Sequence, residues 1–501
     1  MLHDSLDDWA ARQPEAVWAA DASRRVTYGE AQLATRRLAS SIRRAGVPAG
    51  ERVAVLARNR LEFVLLYYAA SRAGVTLVPL NTRLAAAEWA FILSDARPRI
   101  VFLDPTFVSE LPATSAETVV FDASFDWLHE GAPADVAPDE DRDLLQLYTS
   151  ATTGRPKGAV LTQRAVCANI AQIGEAIQTP PGERSLVVAP LFHAGVVPST
   201  LTPLARGGSV YLQAEFRPAD VVDALDRERI GYAVLVPAML QACLSDGRLQ
   251  RPPDSLRLVY YGSSPIAEPT LRAAIGAFDC EFMQSYGLTE ATQSVSFLTH
   301  TDHLRGLRDR PDLLLSAGRA AADTELSVVD ADDRPLPVGQ PGEVVVRGPQ
   351  VMRGYWNQPH ATDDTLRNGW LHTGDVGTLD HEGFLTIRDR LKDMIVSGGE
   401  NVYPRAIEEV LMRHPLVADV AVIGVPDARW GETVKAIVVA RSETTPTAEA
   451  LIDHCRSHVG GFEVPHSVEF VSELPRNATG KVLKRVLREP YWASSERQVS
   501  G

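Results

Sequence analysis

Short apolar runs that suit buried strands alternate with longer stretches of helical periodicity through the first hundred residues. The runs RVAVLA (52–57), VTLVPL (75–80) and RIVFL (99–103) are bounded and rich in β-branched residues, whereas GEAQLATRRLASSIRRAG (29–46) repeats apolar residues at helical spacing. This alternation predicts α/β layers with substantial parallel strand pairing. Because the chain has 501 residues, more than one hydrophobic core normally supports, we expect at least two domains.

The pattern changes near residues 388–393, where apolar alternation gives way to a charged cluster. Beyond it, ADVAVIGVPD (418–427), VKAIVVA (434–440) and the helix-like AEALIDHCRSHV (448–459) are enough for a small α+β domain. We therefore predict domains at 1–391 and 392–501. Two further charged stretches, 130–143 and 299–312, are predicted to be exposed connectors.

Composition excludes several classes of protein. The formal net charge of −14 argues against a general nucleic-acid binder, and no apolar run is long enough for an integral membrane segment. The acidic N-terminus lacks a basic start followed by an apolar run, so the cytoplasm is the expected location. Four widely spaced cysteines suit reduced, mostly buried thiols without assigned chemistry; they are Cys167, Cys243, Cys280 and Cys455.

The stretch YTSATTGRPKG (148–158) carries four serine and threonine hydroxyls, two glycines and a lysine. The apolar run 144–148 before it suits a strand and TQRAVCANIAQI (162–173) after it a helix, so we predict a loop between a strand and a helix. Hydroxyl donors, close backbone approach at glycine and a mobile cation suit a polyphosphate. The alternative is a solvated turn. The loop is not a Walker A sequence, and neither a G-x-G dinucleotide fingerprint nor a GxSxG elbow is present.

Six further motifs follow in order. They are YYGSSP (260–265), QSYGLTE (284–290), LHTGD (371–375), RDRLKD (388–393), SGGENVYP (397–404) and PRNATGK (475–481). With the loop, they resemble the adenylate-forming superfamily of acyl-CoA synthetases, nonribosomal adenylation domains and luciferases, over nearly the whole chain. The resemblance implies a large N-terminal domain of layered helices and β-sheets, of αβαβα type, with a small mobile C-terminal α+β domain.

The resemblance also implies which residues bind ATP and, later, AMP and pyrophosphate. Those expected around the β- and γ-phosphates are Thr149, Ser150, Thr152, Thr153, Gly154 and Lys157. Those expected around adenine and ribose are Gly262, Ser263, Ser264, Pro265, Ser285, Tyr286, Gly287, Asp375 and Arg390. Tyr286 would stack on adenine, with Gly287 leaving room for a flat ring, Thr289 would contact the α-phosphate, and Glu290 would hold Mg²⁺.

By the same resemblance, Lys481 is the catalytic cation between the acid and the α-phosphate, both of them anionic. Lys484, Arg485 and Arg488, in the basic stretch after it, are expected to be solvated. His193 would gate and orient the acyl carboxylate. Gly398, Gly399 and Glu400 would line the thiol channel, and Lys392 would be the hinge.

The acyl pocket is expected to include Phe192, Gly195, Val196, Ala238, Tyr261 and Gln284. Residues 192–202 and 237–243 contain no Asp, Glu, Lys or Arg. Since an unpaired buried charge is costly, this favours an apolar monocarboxylic acid, whether fatty, aromatic or polycyclic. Two positions depart from the family pattern, Ala151 in place of glycine and Glu463 in place of lysine near the expected CoA site.

The predicted function is ATP-dependent conversion of such an acid to acyl-AMP and pyrophosphate, followed by thioester formation with coenzyme A. The expected cofactors are ATP, Mg²⁺ and CoA. One alternative stops at acyl-AMP or passes the acyl group to a carrier-protein thiol. Another is a catalytically silent homologue that serves as a binding protein; intact Lys157, Glu290, Asp375 and Lys481 argue against it.

Overall fold

The structure is a computed structural model that describes residues 1–121, 136–149, 155–264, 266–427, 429–441, 446–476 and 482–492. Its helices are α1 (Leu2–Arg12), α2 (Tyr28–Arg44), α3 (Leu61–Ala73), α4 (Ala86–Ala96), α5 (Gln163–Ala176), α6 (Val197–Ala205), α7 (Pro218–Arg227), α8 (Pro237–Asp246), α9 (Glu268–Phe278), α10 (His300–Arg308), α11 (Pro359–Thr365), α12 (Pro404–Met412), α13 (Ala448–Arg456) and α14 (Lys484–Trp492).

The strands are shorter and more numerous. They are β1 (Val17–Ala20), β2 (Arg25–Thr27), β3 (Arg52–Leu56), β4 (Thr76–Pro79), β5 (Ile100–Leu103), β6 (Glu117–Val120), β7 (Asp143–Thr149), β8 (Lys157–Thr162), β9 (Arg184–Val187), β10 (Ser209–Leu212), β11 (Tyr232–Val234), β12 (Leu258–Gly262), β13 (Glu281–Tyr286), β14 (Ser296–Leu298), β15 (Arg319–Ala320), β16 (Glu325–Val329), β17 (Gly342–Arg347), β18 (Gly354–Tyr355), β19 (Leu366–Arg367), β20 (Trp370–Leu379), β21 (Leu385–Arg390), β22 (Ile395–Ser397), β23 (Glu400–Val402), β24 (Val417–Asp427), β25 (Gly431–Ala440) and β26 (Ser467–Phe470).

The chain divides into two compact units, each made of two stretches of sequence. Unit 1 comprises residues 1–326 and 346–371, and unit 2 comprises 327–345 and 372–501. Strands β16, β17 and β20 each contain one of the points at which the chain passes from one unit to the other. The boundary predicted between residues 391 and 392 lies within unit 2 and stays a prediction.

A seven-stranded sheet in unit 1 has the order β18-β8-β7-β4-β3-β5-β6. Its pairs β3–β4, β3–β5, β4–β7 and β5–β6 are parallel, as the alternation of strands and helices predicted. Helix α3 is buried along its whole length, and its two charged residues are paired, Glu62 with Arg60 and Arg72 with Asp7. Helix α2 begins in a capping box in which Thr27 and Glu30 bond reciprocally.

A nine-stranded sheet, also in unit 1, has the order β15-β14-β13-β12-β11-β9-β10-β1-β2. Its central strands from β1 to β13 pair in parallel. One continuous hydrophobic core contains residues of both large sheets and of the helices packed on them, with Trp18, Tyr67 and Phe102 among its fully buried side chains. This arrangement places the ends of β12 and β13 side by side.

Unit 2 contains a second, smaller core. Its sheet has the order β23-β22-β25-β24, with β26 parallel to β25. The long antiparallel pair β24–β25 packs with α12 and α13 around buried residues such as Ile407, Val422 and Leu451. Another sheet, with the order β16-β17-β20-β19, has β21 paired antiparallel to β20 within unit 2.

Two predictions about secondary structure were wrong. The loop within 148–158, which we call the phosphate loop, does not lead directly into a helix, because residues 157–162 form β8, which pairs antiparallel with β7 before α5 begins. The stretch 299–312 is not a simple connector: Thr299 and Asp302 cap α10 reciprocally, so the charged residues lie on a helix. The rest of the fold-class prediction, a large N-terminal α/β part with a smaller C-terminal part, is confirmed. None of the described helices combines the length and apolarity needed to cross a bilayer.

Candidate active site

The phosphate loop leaves β7 and returns in β8. Thr149 stands opposite Lys157 in the register of the two strands, and the Thr149 hydroxyl donates to the Lys157 carbonyl at 3.4 Å. Thr149 and Lys157 therefore sit side by side at the base of the loop. The other predicted residues of the loop lie outside the described residues; they are Ser150, Ala151, Thr152, Thr153 and Gly154.

Lys157 and Glu290 are linked through the aromatic ring of Tyr355. The Lys157 ammonium lies 4.9 Å from the centre of that ring, within the range of a cation–π contact. The Tyr355 hydroxyl donates to the Glu290 carboxylate at 2.7 Å, a charge-assisted hydrogen bond. We call these three residues the Tyr355 contact.

Backbone pairing holds the Tyr355 contact in place. Tyr355 lies on β18, opposite Ala159 of β8, while Glu290 lies in the short 3-10 turn 289–291 together with Thr289. The Met352 N–H donates to the Glu290 carbonyl at 2.8 Å. Sequence reasoning missed Tyr355; the signal available was the short stretch RGYWN (353–357), which places two aromatic residues in a polar segment.

The predicted adenine-binding residues lie at adjacent strand ends. Gly262 of β12 is directly opposite Ser285 of β13, so the GSSP and QSYG motifs meet. Ser263 has a left-handed φ of 67°, which is uncommon for a residue other than glycine, and Ser264 follows it. Pro265 lies outside the described residues.

Gly287 is required by a close approach of the backbone. A Cβ at this position would lie 1.7 Å from the Gln293 carbonyl oxygen, which excludes a side chain; that Gly287 also leaves room for a flat ring stays a prediction. Tyr286, just before it, packs half-buried against the small cluster of Ala291, Val295, Val346 and Leu371. Stacking of Tyr286 on adenine stays a prediction.

The PLFHAG segment lies beside the GSSP motif. A Cβ on Gly195 would come within 2.8 Å of the Ser263 hydroxyl. The Gly195 N–H donates to His193 Nδ1 at 3.0 Å; since this nitrogen accepts, the proton of a neutral His193 is on Nε2. Phe192 and Val196 are buried on either side, so His193 is the polar residue of an otherwise apolar turn.

Tyr261 is completely buried beneath the same strand ends. Its hydroxyl lies 2.8 Å from His303 Nε2, and His303 Nδ1 lies 2.7 Å from the Thr299 carbonyl. Because a carbonyl only accepts, Nδ1 carries the proton and Nε2 accepts from Tyr261. Burial lowers the pKa of His303 to about 4, so this chain of hydrogen bonds is neutral at ordinary pH.

The remaining acyl-pocket residues differ in exposure. Ala238, near the start of α8, is exposed. The Gln284 side chain on β13 has a buried Oε1 without a hydrogen-bond partner among the described residues. An unpaired buried acceptor is costly, and a ligand O–H or N–H would satisfy it.

In unit 2, the two residues predicted to hold the ribose contact each other. Arg390 Nε lies 2.8 Å from Asp375 Oδ1, and the pair joins β21 to β20, where the two residues stand opposite in register. The Asp375 side chain is only 6% exposed and that of Arg390 is 40% exposed. The arginine therefore presents a cation to solvent while orienting a buried carboxylate.

The predicted hinge and thiol-channel residues follow closely. Lys392 lies in the short 3-10 turn 391–393; burial and the cations Arg390 and Arg488 lower its pKa to about 8, while Asp393 and Asp375 act in the opposite direction. Gly398 and Gly399 join β22 to β23 with φ of 61° and 90°, a tight hairpin turn that needs glycine. Glu400 begins β23 and is exposed.

Glu463, the residue that departs from the family pattern, folds back on its own turn. Its carboxylate accepts the Gly460 N–H at 2.8 Å, and the Glu463 N–H donates to the Gly460 carbonyl at 2.9 Å. The Glu463 carboxylate therefore makes a hydrogen bond within its own turn. Lys481 lies outside the described residues.

This fold, with a hydroxyl-rich phosphate loop and the ordered motifs around it, is that of an adenylate-forming enzyme, an ATP-binding acid–thiol ligase. Comparison with known proteins gives the family. The chain belongs to the AMP-binding enzymes, which it matches over residues 6–356, and residues 406–481 match the C-terminal domain of AMP-binding enzymes.

Similar proteins cover the chain from end to end. Feruloyl-CoA synthase of an Amycolatopsis species is 36% identical over 98% of this chain and 100% of its own. Fatty acid–[acyl-carrier-protein] ligase ScoC of Streptomyces coeruleorubidus is 37% identical over 95% and 94%. The solved structure of o-succinylbenzoate CoA synthetase from Bacillus subtilis with its acyl-adenylate intermediate is 30% identical over 99% of each chain, with a TM-score of 0.87; that enzyme has also been solved with ATP and a magnesium ion.

Proposed function

We propose that this enzyme converts an apolar monocarboxylic acid and ATP to acyl-adenylate and pyrophosphate, and then transfers the acyl group to the thiol of coenzyme A. The observation that carries the proposal is the Tyr355 contact, which sets a lysine and a carboxylate at the base of a hydroxyl-rich loop. Lys157 can pair with phosphate oxygens, and Glu290 supplies a hard oxygen ligand for a divalent cation.

Mg²⁺ suits this site as an ion that is held jointly by the protein and by the substrate phosphates. In the described part of the chain no three His, Cys, Asp or Glu side chains gather as a metal site, and Mg²⁺ is ordinarily held by one or two carboxylates together with substrate phosphates. Glu290 is that carboxylate in the proposal. When bound, the ion would neutralise charge on the phosphates.

The residues of the proposed site have separate roles in the adenylation step. Lys157 and the loop hydroxyls bind the leaving pyrophosphate, and Asp375 with Arg390 orients the ribose. Lys481 brings the two anions together, the acid carboxylate and the α-phosphate, by placing a cation where charge develops. His193, with its proton on Nε2, can donate to a carboxylate oxygen and so orient the acid.

Two observations support an apolar acid. The segments 192–202 and 237–243 lack ionisable side chains other than His193 and Cys243, and Phe192 and Val196 are buried. The relatives named for feruloyl and fatty acyl groups act on acids of this kind. Transfer to a carrier-protein thiol is the second candidate, favoured by the name of the ScoC relative and by the anionic Glu463 where the family usually has lysine.

The test is acid-dependent ATP–pyrophosphate exchange across a panel of fatty acids, aromatic acids with and without hydroxyl groups, dicarboxylates and amino acids. We expect exchange with the fatty or aromatic acids and little with the charged ones. A clear preference for malonate or an amino acid would overturn the apolar pocket. No exchange with any acid would favour a silent homologue.

Thioester formation is tested separately with the best acid, offering CoA or a carrier-protein thiol. We expect CoA to be used, and faster transfer to the carrier protein would select the second candidate. Lys392→Pro tests the hinge, because proline fixes φ near −65°. It should leave one half-reaction near the unaltered rate and abolish the other; equal slowing of both would exclude Lys392 as the pivot.

A further inference from the structure

Helix α14 begins three residues after Lys481 and presents two basic side chains to the protein interior. Lys484 and Arg488 were predicted to be solvated, and this is wrong: their side chains are 12% and 22% exposed. Residues four apart lie on the same face of a helix, so both side chains point toward the same neighbours. Arg485, between them in sequence, is exposed as predicted.

Lys484 joins α14 to two other elements of unit 2. Its ammonium lies 2.8 Å from a Glu408 carboxylate oxygen on α12, and the same oxygen accepts the Val422 N–H of β24 at 2.7 Å. Burial alone would lower the pKa of Lys484, but the carboxylates of Glu408, Asp389 and Asp393 raise it. The side chain is therefore a buried cation paired within the protein.

Asp389 places a second carboxylate close to this cation. It lies near the end of β21, just before the predicted hinge, and accepts the N–H groups of Arg390 at 2.7 Å and of Arg405 at 2.9 Å. Arg405 is in the first turn of α12, so Asp389 caps that helix. The strand before the hinge and the helix after it are thus bonded to each other near Lys484.

Arg488 binds the hinge segment itself. Its guanidinium donates to the carbonyls of Lys392 at 3.2 Å and Asp393 at 3.0 Å and lies 3.3 Å from the Asp393 carboxylate. Both carbonyls belong to the turn 391–393. One face of α14 therefore contacts the predicted hinge segment.

The residues on either side of 477–481 are also tied together. Arg476 and Val482 form an antiparallel bridge, and the Leu483 N–H donates to the Pro475 carbonyl at 2.8 Å. The chain that carries Lys481 therefore departs and returns at one place, immediately before α14. Contacts that hold the start of α14 therefore also hold the residues that flank the Lys481 segment.

We infer that Lys484 and Arg488 are positioning residues for adenylation: through Glu408 and through the carbonyls of residues 392 and 393, they hold the base of the Lys481 segment at a set distance from the hinge. Neither touches a substrate in this scheme, and both act through Lys481. The inference rests on the proposed function, since it assigns them to the half-reaction that needs Lys481.

The experiment compares Lys484→Met with Arg485→Met, which removes an equal charge from an exposed neighbour. Each variant is assayed for single-turnover acyl-adenylate formation and, separately, for thioester formation from supplied acyl-adenylate and CoA. Lys484→Met should slow adenylate formation by at least about tenfold and change thioester formation less than twofold. Arg485→Met should change neither, and Lys484→Arg should restore most of the adenylation rate.

A second variant guards against misfolding. Lys484→Met combined with Glu408→Met removes both partners of the 2.8 Å ion pair at once, so Glu408 is not left without its cation, and it should show the same selective loss of adenylation. Unchanged adenylation in Lys484→Met, or equal slowing of both half-reactions in the single and double variants, would overturn the inference while leaving the proposed function intact. Absence of adenylate formation by the unaltered enzyme would overturn both.

Discussion

The Tyr355 contact of unit 1 resembles a group in unit 2 that we call the Lys484 cluster, formed by Lys484, Glu408 and Asp389. Both place a lysine near a carboxylate, but they differ in how directly the charges are paired. Lys157, Tyr355 and Glu290 are all partly exposed, and the aromatic ring separates cation from carboxylate. Lys484 lies directly against Glu408, with Asp389 only 7% exposed. In the Tyr355 contact, Lys157 and Glu290 can still bind a ligand. In the Lys484 cluster, the charges are paired with one another within the protein.

Electrostatics explains why these two arrangements suit different tasks. A partly exposed charge is solvated when no ligand is present and can exchange water for phosphate at modest cost. A buried charge pays a large desolvation penalty that only a fixed partner repays. We therefore expect changes in the Tyr355 contact to affect catalysis, and changes in the Lys484 cluster to affect stability as well as position.

The largest effect should come from breaking the direct ion pair between Lys484 and Glu408. Glu408→Leu leaves the Lys484 ammonium without its nearest partner and should lower the free energy of unfolding by about 3–5 kcal/mol. Glu290→Leu, the matched change at the partly exposed carboxylate, should cost less than about 1 kcal/mol while abolishing adenylation. Denaturant unfolding followed by circular dichroism measures both; similar losses of stability would remove the distinction between the two regions.

Lys481→Ala should have the next largest effect. Loss of the cation between two anions should slow single-turnover adenylate formation by about 10²–10³-fold, by analogy with removal of one oxyanion-hole donor. Thioester formation from supplied acyl-adenylate and the thermal unfolding midpoint should hardly change, since neither depends on that charge. Adenylation near the unaltered rate would contradict the assignment.

His303 extends the comparison to a buried group of unit 1. Its pKa is about 4 in the folded protein against about 6.5 when unfolded, so between these values the unfolded chain binds a proton that the folded chain does not. Stability from this group is complete above about pH 6.5 and falls by up to about 3 kcal/mol as the pH drops toward 4.

Unfolding of the unaltered enzyme and of His303→Gln should be compared between pH 4 and 7. The acid-dependent loss should shrink in His303→Gln and persist in His381→Gln, which alters an exposed histidine. Parallel pH profiles for the unaltered enzyme and His303→Gln would show that His303 is not the group responsible.

The smallest effect is expected at Tyr355. Tyr355→Phe keeps the ring over Lys157 but removes the hydroxyl bonded to Glu290, and one such hydrogen bond is worth about 1–1.5 kcal/mol. Adenylation should fall about tenfold, measured as ATP–pyrophosphate exchange at varied MgATP. Tyr355→Leu removes the ring as well and should lose more; equal rates in the two variants would show that the cation–π contact contributes nothing.

Much of the fold could be predicted because the signals are local. The runs that became β3, β4 and β5 are short, apolar and bounded, and the motif residues Asp375 and Arg390 proved to be in contact within unit 2. These features depend on nearby sequence or on motifs whose order is informative. Sequence alone therefore indicated the fold class and the motifs that surround the site.

What could not be predicted depends on distant partners. The strand β8 exists because residues 157–162 pair with β7 across the phosphate loop, and apolar spacing alone favoured an immediate helix. In the sequence, Lys484 is one lysine in a basic stretch. Only the structure shows that it pairs with Glu408, which lies much earlier in the chain. Tyr355 belonged to no motif that we recognised. In each case a contact between remote segments, rather than local composition, decides the outcome.

The division of the chain has a consequence for how this enzyme is made. Residues 327–345 belong to unit 2 but leave the ribosome before residues 346–371, which complete unit 1. During synthesis, residues 327–345 are therefore made before the rest of unit 2 and while unit 1 is still incomplete. A nascent chain stalled at residue 345 would expose strand segments without their final partners, and such unpaired strand edges are prone to aggregate.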